Sequence, residues 1–537
     1  MPDAAGPDGP RHHCGVVAVC RLRPGTRVPD HSPAGCRQQG VAPLVPRLLM
    51  DLQNRGQLSA GLASYCADRP LLLKTHVENG PVMEAFRLSH PAKAADLMAD
   101  LAGTAAIGHT RYATCGPDEA SHAQPFEYRH GRRWKWFTFC FNGNLANHQA
   151  LRRQLLAKSD YHMVREGDTE ILMHYLAYAM RGSSKPGWVK VFRRLAAKFD
   201  GAYNVAVLNA QGDLAVARDP LGFRPMCYAF DRDTVAAASE SVALANLGFE
   251  DIRSLPPGHA LVADEAGVRI EGFAPSPRHA HCFFEWVYFA NAASVLDGRS
   301  VYLVRSNLGR ELAALEDLDL DPHTVVVPVP DTAKPIGDAF AYALGLPSVE
   351  GLLRNRYVGR TFIVGPGREE RARMKYTPLP EVIGGKRVIL VEDSLVRATT
   401  LKALVGQMRT RGRPREIHVR LACPPIIAPC FYGIEMSTVS ELFAPRYVRG
   451  RRSAEAGLPA ATRARMAEAL GADSLRYSPV AAVPRAVGFP AGQLCMACIT
   501  GNYPTAWGAR LYRAARRRTG PGESGEKEPQ IKPDKPR

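Results

Sequence analysis

The residues best suited to chemistry begin with a cysteine near the start of the chain. Cys14 precedes an apolar, β-branched run, residues 15–19 (GVVAV), and follows a short segment rich in proline and glycine. Removal of residues 1–13 as a propeptide would place a thiol and a free α-amine on one residue. A thiolate is the attacking form of cysteine, and an α-amine with a pKa of about 7.7–8.0 is a suitable neighbouring base. Cys14 is therefore a candidate nucleophile, and a buried cysteine in a first strand is the alternative.

Downstream motifs could complete the chemistry of amide hydrolysis. Residues 55–57 (RGQ), 108–114 (GHTRYAT), 141–145 (FNGNL) and 167–170 (GDTE) follow Cys14 in order. Together they resemble the glutamine amidotransferase domain that has an N-terminal cysteine nucleophile. The resemblance implies that Asn142 and Gly143 donate to the oxyanion, that Arg111 binds the glutamine α-carboxylate and that Asp168 binds its α-ammonium group. Taken singly, these residues could instead be a hairpin turn, a surface arginine and a helix N-cap.

A second chemical motif lies at the end of an apolar strand in the other half of the chain. The run 388–391 (VILV) ends in the carboxylates of Glu392 and Asp393, and residues 394–400 (SLVRATT) then open a helix. Backbone N–H groups at such a turn, together with the helix dipole, bind a phosphate group. The motif resembles the phosphoribosyltransferase signature, in which the carboxylates face ribose hydroxyls and Mg²⁺. An acidic turn that caps a helix is the alternative.

From Cys14 to about Thr505, the whole chain resembles the amidophosphoribosyltransferase family. The resemblance implies one Mg²⁺ per subunit, held near Thr332, Glu392 and Asp393. Residues 327–334 resemble the family's pyrophosphate loop, and residues 355–361 resemble its closing loop. The residues that the resemblance assigns to phosphoribosyl pyrophosphate are Asp331, Thr332, Arg356, Glu392, Asp393, Ser394, Arg397, Ala398, Thr399 and Thr400.

The resemblance also implies a two-site reaction. Cys14 would release ammonia from glutamine, and the ammonia would pass internally and displace pyrophosphate from phosphoribosyl pyrophosphate. The products would be 5-phosphoribosylamine, pyrophosphate and glutamate, at the first step of purine nucleotide synthesis. The family further suggests inhibition by purine nucleotides, a homotetramer and a cytoplasmic location. Two alternatives are an amidotransferase with another phosphoribosyl-type acceptor and a non-catalytic sensor of phosphoribosyl pyrophosphate or nucleotides.

Four cysteines in the second half form a candidate metal site. Cys282, Cys430, Cys495 and Cys498 have the sequence surroundings of the cysteines that hold a 4Fe–4S cluster in one branch of the family. A CxxC pair places two thiolates on one metal centre, and zinc also accepts four cysteines. Cluster, zinc and free buried thiols therefore remain three alternatives.

The sequence departs from the family pattern at three places. Ala398 stands where the family usually has glycine, and a positive φ there would strain the phosphate turn. Glu392 replaces the more usual aspartate. Residues 291–293 (NAA) replace Arg-Pro-Asp, so one charge of each sign is missing near the expected domain junction.

The length of the chain indicates two domains plus extensions. The chain has 537 residues and a formal net charge of +17, much of it in arginine-rich stretches such as residues 510–518. No recognition motif for nucleic acid accompanies this charge, and no apolar stretch approaches the ~20 residues of a membrane helix. Twelve cysteines without a secretory signal favour a reducing compartment.

The pattern of apolar residues changes near residues 274–278 (APSPR), a candidate linker. The first part has many short strands with few helices, and the second alternates strands with helices, which predicts a parallel sheet. Stacked sheets flanked by helices are consistent with the first part, and the resemblance implies an α+β N-terminal nucleophile hydrolase domain (an αββα sandwich) over residues 14–273. An α/β type I phosphoribosyltransferase domain, a parallel sheet with helices on both faces, should follow over residues 282–480. Residues 481–506 would bind the cluster, residues 507–537 would be a disordered basic tail, and residues 24–45 would be a surface insertion.

Overall fold

The computed structural model describes residues 14–22, 40–112, 122–158, 160–165, 167–355, 374–434, 436, 438–448 and 457–518. The predicted propeptide (residues 1–13), Arg356 and most of the predicted insertion lie outside these ranges. The insertion also ends earlier than expected, because a helix already begins at Leu44.

Two antiparallel sheets form the first domain. Its strands are β1 (Gly15–Arg21), β2 (Ser59–Tyr65), β3 (Leu73–Asn79), β4 (Ala105–Arg111), β5 (Phe126–Tyr128), β6 (Phe137–Leu145), β7 (Gly201–Asn209), β8 (Leu214–Arg218), β9 (Cys227–Asp231), β10 (Thr234–Ala238), β11 (Arg253–Ser254), β12 (His259–Asp264) and β13 (Gly267–Gly272). One sheet has the order β11-β9-β10-β1-β4-β2-β3 and the other β13-β12-β8-β7-β6-β5.

Helices cover the outer faces of both sheets. They are α1 (Leu44–Met50), α2 (Val82–Ala85), α3 (Pro91–Asp100), α4 (His148–Leu156), α5 (Asp168–Ala179), α6 (Trp188–Ala196) and α7 (Ser241–Ala245). Strand β1 shows why its sequence is a continuous apolar run: Val16 and Ala18 face the core between the sheets, while Val17 and Val19 face α1. Both faces of the strand are buried, so strict alternation with polar residues is absent. The predicted αββα sandwich is confirmed.

A parallel sheet forms the centre of the second domain. The strands of this domain are β14 (His281–Cys282), β15 (Val295–Leu296), β16 (Arg299–Ser300), β17 (Thr324–Pro328), β18 (Leu352–Arg354), β19 (Tyr376–Pro378), β20 (Arg387–Glu392), β21 (Glu416–Leu421), β22 (Ser474–Tyr477) and β23 (Leu494–Cys495). The four-stranded sheet has the order β17-β20-β21-β22, and every pair in it is parallel. The smaller pairs are β14–β23, β15–β16 and β18–β19.

Helices pack on both faces of this parallel sheet. They are α8 (Val301–Ala313), α9 (Lys334–Leu344), α10 (Pro380–Ile383), α11 (Thr399–Gln407), α12 (Ala460–Leu470), α13 (Ala482–Val487), α14 (Ala497–Thr500) and α15 (Ala506–Arg518). Apolar residues of α8 and α9 share one core with Ile389 and Val391 of β20, whereas α11 and α12 share the other with Val388 and Leu390. The predicted α/β domain is therefore confirmed.

The C-terminal segment differs from its prediction. Disorder was expected from residue 507, but α15 occupies Ala506–Arg518, so the prediction is wrong for the described part of the tail. The Trp507 backbone N–H donates to Asp200 of the first domain at 3.2 Å, and Tyr512 contacts the Tyr503 ring. Tertiary contacts therefore order an arginine-rich segment whose composition favours disorder. Within the described ranges, no helix has the length and hydropathy needed to span a membrane.

Candidate active sites at the domain junction

Cys14 lies immediately before β1 and is fully buried. Its neighbour Gly15 pairs with Thr110 of β4 and donates its N–H to the Thr110 hydroxyl at 3.2 Å. The antiparallel pairing of β1 with β4 therefore brings the backbone of Cys14 to the end of β4, where Arg111 lies. Arg111 is only 2% exposed, so it is not a surface arginine.

Asn142 and Gly143 lie inside β6, opposite Asn204 and Tyr203 of β7, so the hairpin-turn alternative is wrong. Gly143 has a φ of 156°, and a Cβ atom there would lie 2.0 Å from the Ala202 carbonyl oxygen. Asn142 is fully buried, and neither end of its amide finds a hydrogen-bond partner among the described residues. Burying an unpaired amide costs free energy. The Asn142 N–H is thus held ready for a bound acceptor.

Asp168 is the first residue of α5, and its Oδ2 accepts a hydrogen bond from the Leu145 N–H of β6 at 3.2 Å. The N-cap of α5 is Gly167, so Asp168 is not the cap that was the alternative prediction. Burial, and secondarily the proximity of Cys14, raises the pKa of the Cys140 thiol on β6. Arg111 therefore lies beside Cys14 on the neighbouring strand, and Asn142, Gly143 and Asp168 lie on β6 and at the start of α5, which contacts β6.

A cavity of about 360 Å³ lies between the two domains. The first domain contributes Asn54, Gln57 and Tyr112, which lie in or beside the predicted amidotransferase motifs. From the second domain come the predicted residues Asp331, Thr332, Glu392, Asp393, Ser394, Arg397, Ala398, Thr399 and Thr400. Every predicted phosphoribosyl residue that the structure describes lines this cavity, and Arg356 lies outside the described residues.

Glu392 and Asp393 lie at the end of β20, on the cavity wall. Burial raises the pKa of both carboxyl groups, and for Glu392 the charge of Asp393 raises it further. Two hydroxyl groups donate to Asp393: Thr332 Oγ1 to Oδ2 at 2.5 Å and Ser394 Oγ to Oδ1 at 2.6 Å. The pyrophosphate loop and the phosphate turn therefore meet at one carboxylate.

The phosphate turn connects β20 with α11. Ala398 is the N-cap of α11 and has φ 64° and ψ −20°, a left-handed conformation. The sequence-based concern about this position is thus justified, since an L-residue with a Cβ is strained there by about 1–2 kcal/mol. An ion pair with Glu441 restricts the Arg397 side chain, with a nitrogen to oxygen distance of 2.9 Å.

We expect replacement of Ala398 by glycine to increase the free energy of unfolding by about 1 kcal/mol, because glycine adopts this conformation without strain. Urea unfolding measures the change. Ala403→Gly is the matched control in the same helix, where the substitution should cost about 0.5–1 kcal/mol. Loss of stability in both variants would contradict strain at Ala398.

Sequence analysis missed a pair of residues on the β18–β19 hairpin. Arg354 forms an ion pair with Asp331, and the Tyr376 hydroxyl donates to the Pro330 carbonyl at 3.1 Å. Tyr376 lines the cavity, and burial raises the pKa of its hydroxyl well above its usual value. Arg354 directly precedes the predicted closing loop (residues 355–361) and Tyr376 lies in no motif, so only the spatial proximity of β18, β19 and the pyrophosphate loop reveals their contacts.

Sequence analysis also missed a buried network of charges that joins the domains. Arg55 contacts Glu240 at 2.6 Å and Glu285 at 2.8 Å, and Arg224 contacts Glu285 at 2.6 Å. All four side chains are at most 1% exposed. Glu285 begins a π-helical turn (Glu285–Phe289) whose Phe289 lines the cavity. Arg55 belongs to the RGQ motif, so the buried ion pairs connect this motif to the turn that lines the cavity.

The altered segment 291–293 lies within this network, at the junction where it was expected. The Asn291 backbone N–H donates to Glu240 Oε2 at 2.7 Å, and the Asn291 side chain accepts from the Ala293 N–H. The Ser294 hydroxyl also donates to Glu240 at 2.7 Å. Backbone and hydroxyl donors therefore bind Glu240 at this junction.

Comparisons with known proteins decide the family. Residues 109–246 match the family model of the glutamine amidotransferase domain. The amidophosphoribosyltransferase of Methanothermobacter thermautotrophicus is 37% identical over 474 residues, which cover 87% of this chain and 92% of that protein. The chain belongs to the amidophosphoribosyltransferase family. The enzyme of Synechococcus elongatus is 34% identical and covers 95% of this chain and 94% of its own.

A solved structure extends the family likeness to three dimensions. The glutamine phosphoribosylpyrophosphate amidotransferase of Bacillus subtilis, complexed with ADP and GMP, has a TM-score of 0.75 and 30% identity. The match covers 92% of this chain and 98% of that one. The predicted enzyme class, a glutamine-dependent pentosyltransferase at the first step of purine nucleotide synthesis, is confirmed.

The four predicted cluster cysteines of this family member share one core region. Cys282 and Cys495 are directly paired residues of the parallel strands β14 and β23, and Cys498 lies one helical turn beyond Cys495. The Cys430 sulfur accepts hydrogen bonds from two backbone N–H groups at 3.4 Å each. The four thiols are free of disulfides.

Burial raises the pKa of the Cys282 thiol to about 12, and the nearby Arg224 partly offsets this. Burial likewise raises the pKa of Cys495 and Cys498, and Cys282 and Cys430 raise both values further. The four sulfurs are of the donor type that a cluster or zinc requires, but the raised pKa values of Cys282, Cys495 and Cys498 favour protonated thiols. In the described part of the chain, no group of three or more His, Cys, Asp or Glu residues is arranged to hold a metal ion.

Proposed function

We propose that the two predicted sets of residues act at the two ends of one reaction. Cys14, with residues 1–13 removed, gives its thiol proton to its own α-amine and attacks the glutamine side-chain carbonyl. Asn142 and the Gly143 N–H stabilise the oxyanion, and donors of this kind contribute about 10²–10³ in rate. Arg111 and Asp168 bind the α-carboxylate and α-ammonium groups. The protonated α-amine of Cys14 gives its proton to the leaving nitrogen as the bond from carbon to nitrogen breaks, ammonia leaves, and water then releases glutamate from the thioester.

At the second end, ammonia forms a bond to C1 of phosphoribosyl pyrophosphate while the bond from C1 to pyrophosphate breaks with its electron pair. Residues 394–400 bind the 5-phosphate at the start of α11. Asp331 and Thr332 face the pyrophosphate, and Arg356 also belongs to this site. The observation that carries the proposal is the single cavity, lined by residues beside the amidotransferase motifs and by the phosphoribosyl residues.

We infer that Mg²⁺ binds near Thr332, Glu392 and Asp393. Two adjacent, buried carboxyl groups with raised pKa values are a donor set of hard oxygens, which suits this cation. When bound, Mg²⁺ neutralises the charge of the departing pyrophosphate. The Thr332 hydroxyl donates to Asp393 and so orients this carboxylate.

A 4Fe–4S cluster at Cys282, Cys430, Cys495 and Cys498 remains our proposal, with zinc and free thiols as the alternatives. The cluster would be structural, since these cysteines join β14 to the C-terminal segment. We further propose inhibition by purine nucleotides, in line with the ADP and GMP complex of the Bacillus subtilis relative, as well as a homotetramer and a cytoplasmic location.

The decisive experiment measures glutamate release from glutamine by anaerobically purified protein, with and without phosphoribosyl pyrophosphate and Mg²⁺. We expect strong stimulation by the phosphoribosyl substrate, with pyrophosphate and glutamate released in equal amounts. Glutaminase activity that ignores phosphoribosyl pyrophosphate would indicate another acceptor. Absence of hydrolysis by mature protein would indicate a sensor.

A further inference from the structure

The pyrophosphate loop is held at three successive residues. Tyr376 donates its hydroxyl to the Pro330 carbonyl at 3.1 Å, Arg354 pairs with the Asp331 carboxylate, and Thr332 donates to Asp393 at 2.5 Å. Two of these partners lie directly opposite each other, because Arg354 of β18 pairs with Tyr376 of β19. The hairpin therefore holds the loop from one side, and β20 holds it from the other.

The three contacts differ in their surroundings. The Asp331 carboxylate is 68% exposed, so its ion pair is screened by solvent. Tyr376 is 5% exposed, and its hydroxyl contacts backbone rather than a side chain. A buried hydrogen bond to a carbonyl fixes the orientation of the peptide group, whereas an exposed ion pair tolerates rotation. Tyr376 is accordingly the contact that defines the path of the loop.

We propose that Tyr376 is a positioning residue for the pyrophosphate half of the substrate, an inference that rests on the proposed function. The hydrogen bond from Tyr376 to the Pro330 carbonyl keeps Asp331 and Thr332 in the conformation that binds pyrophosphate. A loop that is already ordered loses less conformational entropy on binding, and the gain appears as affinity. Tyr376 does not contact the reacting atoms, so its effect falls on substrate binding.

The first test replaces Tyr376 by phenylalanine, which keeps the ring and removes only the hydroxyl. Loss of one neutral hydrogen bond should raise KM for phosphoribosyl pyrophosphate about fivefold, with much less change in kcat. The matched control is Tyr477→Phe, because Tyr477 is a buried tyrosine of the same domain whose hydroxyl bonds to no described residue. This control should leave both constants at wild-type values.

The second test uses two inhibitors in the presence of Mg²⁺, inorganic pyrophosphate and ribose 5-phosphate. Tyr376→Phe should weaken inhibition by pyrophosphate about fivefold and leave inhibition by ribose 5-phosphate unchanged, since the latter binds the turn at residues 394–400. Equal weakening of both inhibitors would mean general damage to the fold and would overturn the proposal, as would unchanged inhibition by both. A wild-type protein without any activity towards phosphoribosyl pyrophosphate would overturn the proposed function instead.

Discussion

Cys14→Ala should lose glutamine-dependent synthesis by about 10⁴-fold or more, while synthesis from ammonium chloride persists. In the proposed mechanism the Cys14 thiol is the nucleophile for the amide, and no other described thiol lies at the start of β1 beside Arg111. The proposed second site uses free ammonia, so that step would not need Cys14. Pyrophosphate release with glutamine, and separately with ammonium ions at one pH, measures the two activities.

Cys66→Ala is the control for this prediction, because Cys66 is half-buried and follows β2 outside the cavity. It should retain both activities. A glutamine-dependent rate within tenfold of wild type in Cys14→Ala would exclude Cys14 as the nucleophile. Loss of both activities in Cys14→Ala would show that the two sites depend on one another structurally.

Glu285→Gln should lower the free energy of unfolding by about 3–5 kcal/mol, because removal of one buried charge leaves its partners uncompensated. Arg224 would lose its carboxylate partner and Arg55 one of its two, at a site with at most 1% exposure. Although burial lowers the pKa of Arg55, Glu240 and Glu285 raise it above its usual value in the wild type, and the Glu240 carboxylate still pairs with Arg55 in the variant. Urea unfolding at neutral pH measures the loss.

The control is Asp251→Asn, which breaks an exposed ion pair with Arg253 and should leave stability unchanged.

Burial raises the pKa of Glu285, but Arg55 and Arg224 outweigh it and hold the pKa below its usual value. Ionised Glu285 therefore stabilises the fold above the ordinary glutamate pKa, and this contribution disappears as the pH falls through the lowered value. The difference in free energy of unfolding between wild type and Glu285→Gln should shrink as the pH falls through this range. A difference that stays constant in acid would contradict the role of ionised Glu285 in the buried network.

Sequence alone determined the parts whose chemistry lies in consecutive residues. The strand, the two carboxylates and the phosphate turn of β20 and α11 are one continuous run, and the positive φ of Ala398 follows from its place in that turn. Cys14 and its apolar strand are equally local. The fold class was also predictable, because strand–helix alternation and β-branched runs indicate which segments form buried strands and which form helices.

Only the tertiary structure revealed the contacts between distant segments. Arg55 and Glu285 are separated by 230 residues, and the Tyr376 hydroxyl and the Pro330 carbonyl by 46. Helix α15 likewise forms where composition favours disorder, because the first domain and Tyr503 provide contacts. The physical reason is common to all three: a local pattern encodes backbone conformation and burial, whereas the partner of a buried charge or hydroxyl is set by how whole sheets and helices pack.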